Sequence, residues 1–169
     1  MVQSDSIEIY TVTLLYCDER YLLLQRAPDK EFAPKRWTGL GGHVEPDEFS
    51  RLRASALREV YEETGIAQEV IQNFTLRRAL LTNRPGHALR VILYFTGGLQ
   101  KPILPFCPEG QLFWLSPNQF NALDIIENTR PVLSCLVEDM QRDPQGIDPV
   151  VTGLGVFNPQ GSFKGVSWG

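Results

Sequence analysis

The stretch from residue 41 to residue 66 constrains this chain most, because a glycine pair, a turn and an acidic helix follow one another directly: GGHVEPDEFSRLRASALREVYEETGI. Glu59 precedes Glu62 by three positions and Glu63 by four. Side chains at these spacings share one helix face, with Cβ atoms roughly 5–6 Å apart. Carboxylates this close repel one another, and hard cations such as Mg²⁺ prefer oxygen ligands of this kind. The stretch therefore predicts a metal site on a helix; the alternative interpretation is an acidic helix facing solvent.

The residues also predict where this helix begins, where it ends and what balances its charge. Ser50 is the expected N-cap, with Asp47 as the alternative. Gly65 is the expected stop signal, because glycine readily adopts the left-handed conformation that ends many helices. Arg58 lies four positions before Glu62, so we expect its guanidinium to neutralise or orient part of the acidic group.

This stretch resembles the signature box of the Nudix hydrolases, in which G, five residues, E and seven residues lead to R-E-U-x-E-E-x-G-U, with U an aliphatic residue. The residues that match the motif are Gly42, Glu48, Arg58, Glu59, Val60, Glu62, Glu63, Gly65 and Ile66. The chain departs from the motif in one respect, because nine residues rather than seven separate Glu48 from Arg58. This insertion leaves open whether Glu48 reaches its usual partner.

The resemblance implies a Nudix fold of the α/β (α+β) class, which is an α/β/α sandwich around a mixed β-sheet. We expect residues 1–169 to form one domain with the box at 42–66, and the residue pattern agrees with this fold. Expected strands cover 7–16, 21–25, 37–42, 69–74, 76–82, 89–96 and 111–115, and expected helices cover the box, a short segment after Ser116, and 129–140. Residues from about 148 to 169 are expected to form a terminal hairpin, with a tail as the alternative, and the polar N-terminus MVQSDS is expected to be frayed.

The resemblance also implies a metal site and a catalytic group. The ion is Mg²⁺, with Mn²⁺ as the alternative, and its implied ligands are the carboxylates of Glu59, Glu62 and Glu63 and the carbonyl of Gly42. The implied catalytic residues are Glu59, as ligand and candidate base, together with Glu62 and Arg58, the last of which orients the carboxylates.

Two further residues are expected to bind substrate. Arg26 ends a strand-like run, where it could meet a phosphate, as a basic residue does in similar family members, or form a surface salt bridge. Glu109 lies at the end of a long loop, and the resemblance suggests an extra metal ligand or base there. The alternative for Glu109 is a turn residue in solvent.

The implied reaction is hydrolysis of a phosphoanhydride in a nucleoside diphosphate linked to a group X. The segments EGQLFWLSPNQF and RWTGLGGHVE are similar to stretches of MutT-like 8-oxo-dGTP diphosphatases. The first choice of substrate is therefore an oxidised or ordinary purine (deoxy)nucleoside triphosphate such as 8-oxo-dGTP, cleaved to monophosphate and pyrophosphate. The alternatives are ADP-ribose or a dinucleoside polyphosphate, and, from another class, a nucleotide sensor without activity.

Composition limits the partners and the compartment. A net charge of −4 argues against a surface that binds a nucleic-acid polymer. The three cysteines, Cys17, Cys107 and Cys135, are widely spaced without a CxxC motif, which favours reduced thiols and a cytoplasmic location. No secretory signal or membrane-spanning run is expected. The oligomeric state stays open, with a homodimer as one alternative.

Overall fold

One mixed β-sheet organises the computed structural model, which describes residues 6–169; the expected frayed terminus falls largely on residues 1–5, outside the described part. The strands are β1 (Ile7–Cys17), β2 (Arg20–Arg26), β3 (Trp37–Thr38), β4 (Gln72–Thr82), β5 (Leu89–Gly98), β6 (Gly110–Leu115), β7 (Val151–Phe157) and β8 (Phe163–Trp168). The helices are α1 (Leu52–Thr64) and α2 (Arg130–Arg142), with short 3₁₀ turns at Pro46–Glu48, Gln68–Val70 and Pro117–Ala122.

The strand order makes the sheet mixed. The path runs β3-β2-β1-β5-β4-β7-β8, and β6 pairs with β2 off this path. β1 is parallel to β5 and β4 is parallel to β7, whereas the other pairs are antiparallel. α1 packs on one face and α2 on the other. The predicted α/β/α sandwich around a mixed sheet is therefore confirmed.

The central strand β1 packs apolar side chains on both faces of the sheet. Ile9 and Leu15 point to the α1 side, and Val12 and Leu14 point to the α2 side. This alternation follows from the two-residue period of a strand. It also places Tyr10 on the α2 side, next to the cavity described below.

The box helix α1 buries Ala56, Leu57 and Val60 and stops at the predicted glycine. Gly65 has a φ of +69°, and its N–H donates to the Tyr61 carbonyl at 2.7 Å. The predicted start is wrong, because neither Ser50 nor Asp47 caps the helix. The helix is preceded by Arg51, which provides no side-chain cap. The two extra residues of the box accompany a separate 3₁₀ turn, which ends before α1 begins.

Three strands differ in extent from the sequence prediction. The strand expected at 37–42 is only Trp37–Thr38, because Leu40 and His43 make no more than isolated bridges to β1. The first part of the expected strand at 69–74 is a 3₁₀ turn at Gln68–Val70, and β4 then runs without a break from Gln72 to Thr82. β5 continues to Gly98, past the expected end at residue 96, because it stays paired with β1 to that point.

The C-terminal segment forms a hairpin that extends the sheet, because β7 pairs with β4. A β-bulge near Leu76 in β4 turns two consecutive arginines towards the end of α2. Arg78 makes two hydrogen bonds to Asp139, at 2.6 and 2.8 Å, and Arg77 donates to Asp143 at 3.0 Å. The Arg78 guanidinium also stacks over the Trp168 ring of β8, 4.6 Å from its centroid. These contacts link the hairpin, β4 and α2.

The three cysteines are free thiols, two of them buried, in agreement with the sequence. Within residues 6–169, no helix is both long and apolar enough to cross a membrane.

Candidate active site

Arg58 is the centre of a charge network on the box helix. Its Nε and Nη2 atoms donate to the two carboxylate oxygens of Glu48 at 2.8 and 2.9 Å. Its Nη1 atom donates to Glu59 at 2.8 Å and to Glu62 at 2.9 Å. Glu48 therefore reaches Arg58 despite the longer insertion, which answers the question that the sequence left open.

The hydrogen bonds from Arg58 hold the pKa of Glu48 down to about 2. The Glu45 N–H and the Ser55 hydroxyl also donate to this carboxylate and act in the same direction. Glu48 in turn is the main reason that the pKa of Arg58 is raised. The pair thus stays ionised and fixes Arg58 beside the other carboxylates.

Glu59 and Glu63 point towards the glycine pair that precedes the box turn. The Gly41 N–H donates to Glu63 Oε2 at 2.9 Å. A Cβ atom on Gly42 would lie 2.5 Å from Glu59 Oε2, so only glycine lets the carboxylate approach this closely. The Gly42 carbonyl accepts a hydrogen bond from the Thr11 N–H at 2.9 Å, which orients it towards β1.

Burial changes the proton affinity of these two carboxylates. It raises the pKa of Glu59, and it raises the pKa of Glu63 to about 8. The Gly41 N–H partly offsets the rise at Glu63, whereas the negative charges of Glu59 and Glu109 add to it. A nearby cation would reverse this effect, because it favours the ionised form of a carboxylate.

The donor set suits a magnesium ion, although the three box carboxylates do not all converge. Glu62 is more than half exposed and is paired with Arg58, and within the described chain no three His, Cys, Asp or Glu side chains meet at one metal position. Mg²⁺ commonly takes one or two protein carboxylates and completes its shell with phosphate oxygens and water. Glu59 and Glu63, with the glycine backbone beside them, fit that requirement.

Glu63 also lines a cavity of about 410 Å³, a volume typical of small-molecule sites. Arg26 lies on the wall of the same cavity, and its Nε donates to the Phe32 carbonyl at 2.9 Å. Its guanidinium stacks 5.7 Å from the Phe32 ring centroid. Arg26 therefore lies close to Glu63. A phosphate bound to a metal ion at Glu63 would be near the positive charge of Arg26.

Glu109 lies in the loop before β6, and its carboxylate is paired with Lys30 Nζ at 2.8 Å. It is close enough for its negative charge to raise the pKa of Glu63. The structure thus brings Glu109 near the box glutamates but gives its carboxylate a lysine partner.

Another part of the cavity lining was missed by the sequence analysis. It is formed by Tyr10, Arg90, Ile126 and Asn128, among others, which come from two strands and the segment before α2. No sequence motif connects these residues. Parallel pairing of β1 with β5 brings Tyr10 and Arg90 together, and the segment before α2 supplies Ile126 and Asn128. The one sequence signal was Arg90, a charged residue near the start of an otherwise apolar strand.

Comparison with known proteins agrees with this geometry. The family model described as the NUDIX domain matches residues 9–135. The m7GpppN-mRNA hydrolase NUDT17 of Bos taurus is 42% identical over 55 residues, which are 32% of this chain and 18% of that protein. The chain thus aligns with under a fifth of the length of this relative.

Solved structures show the same fold. The mutator MutT protein from Bacillus halodurans superposes with a TM-score of 0.67 at 20% identity, covering 95% of this chain and 97% of that chain. The dihydroneopterin triphosphate pyrophosphohydrolase of E. coli gives a TM-score of 0.63 at 22% identity, covering 78% of this chain and 95% of that chain. The expected Nudix fold is confirmed, and the family model covers most of the sequence, so the chain belongs to the NUDIX domain family.

Proposed function

We propose that this protein is a Mg²⁺-dependent pyrophosphohydrolase that cleaves a nucleoside diphosphate linked to a group X. The observation that carries the proposal is the position of Glu59 and Glu63, which lie against the Gly41–Gly42 backbone, with Glu63 lining a cavity that also presents Arg26. Carboxylates for a metal and a cation for phosphate are the groups that hydrolysis of a phosphoanhydride requires.

A bound Mg²⁺ would polarise phosphate oxygens and lower the pKa of a water molecule. The chain itself would hold that ion with Glu59 and Glu63, supplemented by Glu62. The Gly42 carbonyl, which accepts from the Thr11 N–H, would have only its second lone pair left for the ion. Arg58 would position Glu59 and Glu62, because it already donates to both carboxylates. Mn²⁺ is the alternative ion.

The remaining roles concern the substrate and the proton. Arg26 would bind a phosphate oxygen from the wall of the cavity. Glu59 is our candidate for the base that takes the proton from the attacking water, as the resemblance to the Nudix box implies for this position. Glu109 is the second candidate, as a further ligand or base, once its carboxylate is released from Lys30.

The substrate we propose first is a purine (deoxy)nucleoside triphosphate such as 8-oxo-dGTP, with monophosphate and pyrophosphate as products. The MutT-like segments of the sequence and the likeness to a MutT structure support this choice. ADP-ribose and dinucleoside polyphosphates are the alternative substrates. The local similarity to NUDT17 adds an m7GpppN-capped RNA to the substrates worth testing.

The test is a screen of kcat/KM for 8-oxo-dGTP, dGTP, dATP, ADP-ribose, Ap4A and an m7GpppN-capped RNA, with Mg²⁺, with Mn²⁺ and with a chelator. We expect metal-dependent release of pyrophosphate from a purine triphosphate. Glu62→Gln should cut kcat while the circular dichroism spectrum and Tm stay unchanged. Nucleotide binding with no turnover of any substrate would instead support a sensor and would contradict the proposal.

A further inference from the structure

Arg90 lies on the wall of this cavity and is held there by two neighbours on β1. Parallel pairing of β1 with β5 sets Glu8 beside Arg90 and Tyr10 beside Ile92. Arg90 Nε donates to Glu8 Oε2 at 2.6 Å, and its guanidinium lies 5.8 Å from the Tyr10 ring centroid. The Tyr10 hydroxyl donates to the same oxygen of Glu8 at 3.4 Å.

This arrangement fixes the guanidinium but uses only one of its three nitrogens. No described residue accepts a hydrogen bond from either terminal nitrogen of Arg90, and the side chain remains 41% exposed. An oriented guanidinium offers its remaining N–H groups in a fixed planar fork. Arg90 is therefore prepared to donate hydrogen bonds to a molecule in the cavity.

The charge of Glu8 decides what kind of acceptor Arg90 suits. The hydrogen bond from Arg90 holds the pKa of Glu8 below its usual range, so Glu8 stays ionised. The Arg90–Glu8 pair is then neutral overall. By contrast, the Nε atom of Arg26, on the wall near Glu63, donates to a backbone carbonyl and not to a carboxylate. A neutral pair attracts a phosphate weakly but still provides directed donors. We therefore assign phosphate to Arg26 and an uncharged acceptor to Arg90.

Among uncharged parts of a nucleotide, the base edge distinguishes purines by its acceptors. A 6-oxopurine such as guanine or hypoxanthine presents an oxygen at position 6, whereas adenine presents an amino donor there. The N–H donors of Arg90 can hydrogen-bond to the oxygen of a 6-oxopurine. In adenine they would face the amino group, which is itself a donor.

We propose that Arg90, positioned by Glu8 and Tyr10, selects 6-oxopurine nucleotides over 6-aminopurine nucleotides. This inference rests on the proposed function, since it names the base that occupies the same cavity. It extends the site to the wall that no part of the box supplies.

The test compares dITP with dATP, because these bases differ in the chemistry of position 6 and both lack the 2-amino group of guanine. We expect wild-type kcat/KM to favour dITP by about 10- to 100-fold, the discrimination expected of a matched arginine contact. Arg90→Met keeps the apolar stem but removes the donors, and should lower kcat/KM for dITP to the level of dATP. Glu8→Gln should reduce the preference less, because the arginine stays but loses its charged partner.

Arg20→Met is the matched control, since Arg20 is an exposed arginine at the start of β2; it should keep the wild-type preference. An equal loss for dITP and dATP in Arg90→Met would mean a phosphate or structural role and would overturn the inference. Unchanged selectivity would overturn it as well. Tm values of all variants exclude unfolding as the cause.

Binding separates this inference from the proposed function. If the wild type hydrolyses no triphosphate, the proposed function fails, and titration calorimetry with IMP and AMP then tests Arg90 alone. Tighter binding of IMP by the wild type, lost in Arg90→Met, would support the inference. Equal binding of the two nucleotides, or binding of neither, would contradict it.

Discussion

Two arginine–carboxylate clusters in this protein contain the same chemical groups but balance their charges differently. The box cluster sets one guanidinium, Arg58, against three carboxylates: Glu48, Glu59 and Glu62. The hairpin cluster sets three guanidiniums against three carboxylates, and its members are Arg77, Arg78, Arg142, Asp139, Asp143 and Asp148. The first is therefore left with excess negative charge, whereas the second is neutral.

The surroundings differ in the same way. Asp139 and Arg78 are 4% and 10% exposed, and the hairpin cluster joins β4 to α2 away from the cavity. The box cluster adjoins the glycine pair, beside the cavity that Glu63 lines. The hairpin cluster balances its charges internally, although Arg77 Nη2 is buried without a hydrogen-bond partner among the described residues. An unbalanced cluster beside a cavity needs a cation from outside. The comparison teaches that excess negative charge beside a cavity distinguishes the candidate metal site from the structural cluster.

The largest effect should come from removing a charge that would hold the metal. Glu59→Gln and Glu63→Gln should each lower kcat by roughly 10²- to 10⁴-fold, because each removes a carboxylate from the glycine side of α1. Pyrophosphate release at saturating Mg²⁺ measures this, with Glu138→Gln on the exposed face of α2 as the matched control. A kcat within a factor of about two of wild type in Glu59→Gln and Glu63→Gln would contradict the proposed difference between the two clusters.

Substitutions in the hairpin cluster should lower the free energy of unfolding and leave kcat unchanged. Asp139→Asn leaves the buried Arg78 without its charged partner and should lower the free energy of unfolding by about 3 kcal/mol. Urea denaturation measures the loss, and kcat per folded molecule should stay unchanged. The double variant Arg78→Met with Asp139→Leu should recover most of the stability, since it removes both charges. A Tm unchanged by Asp139→Asn would contradict the structural role.

Acid should weaken the box cluster through Glu48. Its pKa is lowered to about 2 in the folded state, from an ordinary value of 4.5. A carboxylate with a lowered pKa contributes stability that is complete above the ordinary value and is lost as the pH falls towards the folded-state value. The wild type should therefore lose more free energy of unfolding than Glu48→Gln as the pH falls from 5 towards 2. Parallel curves for the two proteins would show that the Glu48–Arg58 contact adds nothing.

The smallest effect should come from an exposed ion pair beside the box. Asp47 and Arg51 are 3.9 Å apart and largely exposed, and exposed pairs contribute roughly 0–1 kcal/mol. Asp47→Asn should therefore change the free energy of unfolding by less than about 0.5 kcal/mol, without altering kcat. A larger loss would mean that Asp47 supports the box turn in a way that the contacts do not show.

Local sequence predicted the features that depend on local chemistry. Gly65 ends the box helix because a left-handed residue was needed there. The i, i+3 and i+4 spacings predicted one acidic face, but Glu62 is exposed and paired with Arg58, and among the described residues it does not converge with Glu59 and Glu63 at one metal position. The N-cap prediction failed at Ser50, because the inserted residues accompany a separate turn and the helix begins after Arg51. Non-local features escaped prediction for another reason. Arg78 and Asp139 are 61 positions apart, and only the bulge in β4 and the packing of α2 bring them together.

The central claim is that Glu59 and Glu63 hold a metal ion against the phosphates of a nucleotide. A crystal structure with Mg²⁺ and a non-hydrolysable purine triphosphate tests it most directly. We expect the ion between these two carboxylates, next to the Gly41–Gly42 backbone, with its remaining ligands from phosphate and water. A nucleotide bound in the cavity with no ion at these carboxylates would contradict the account.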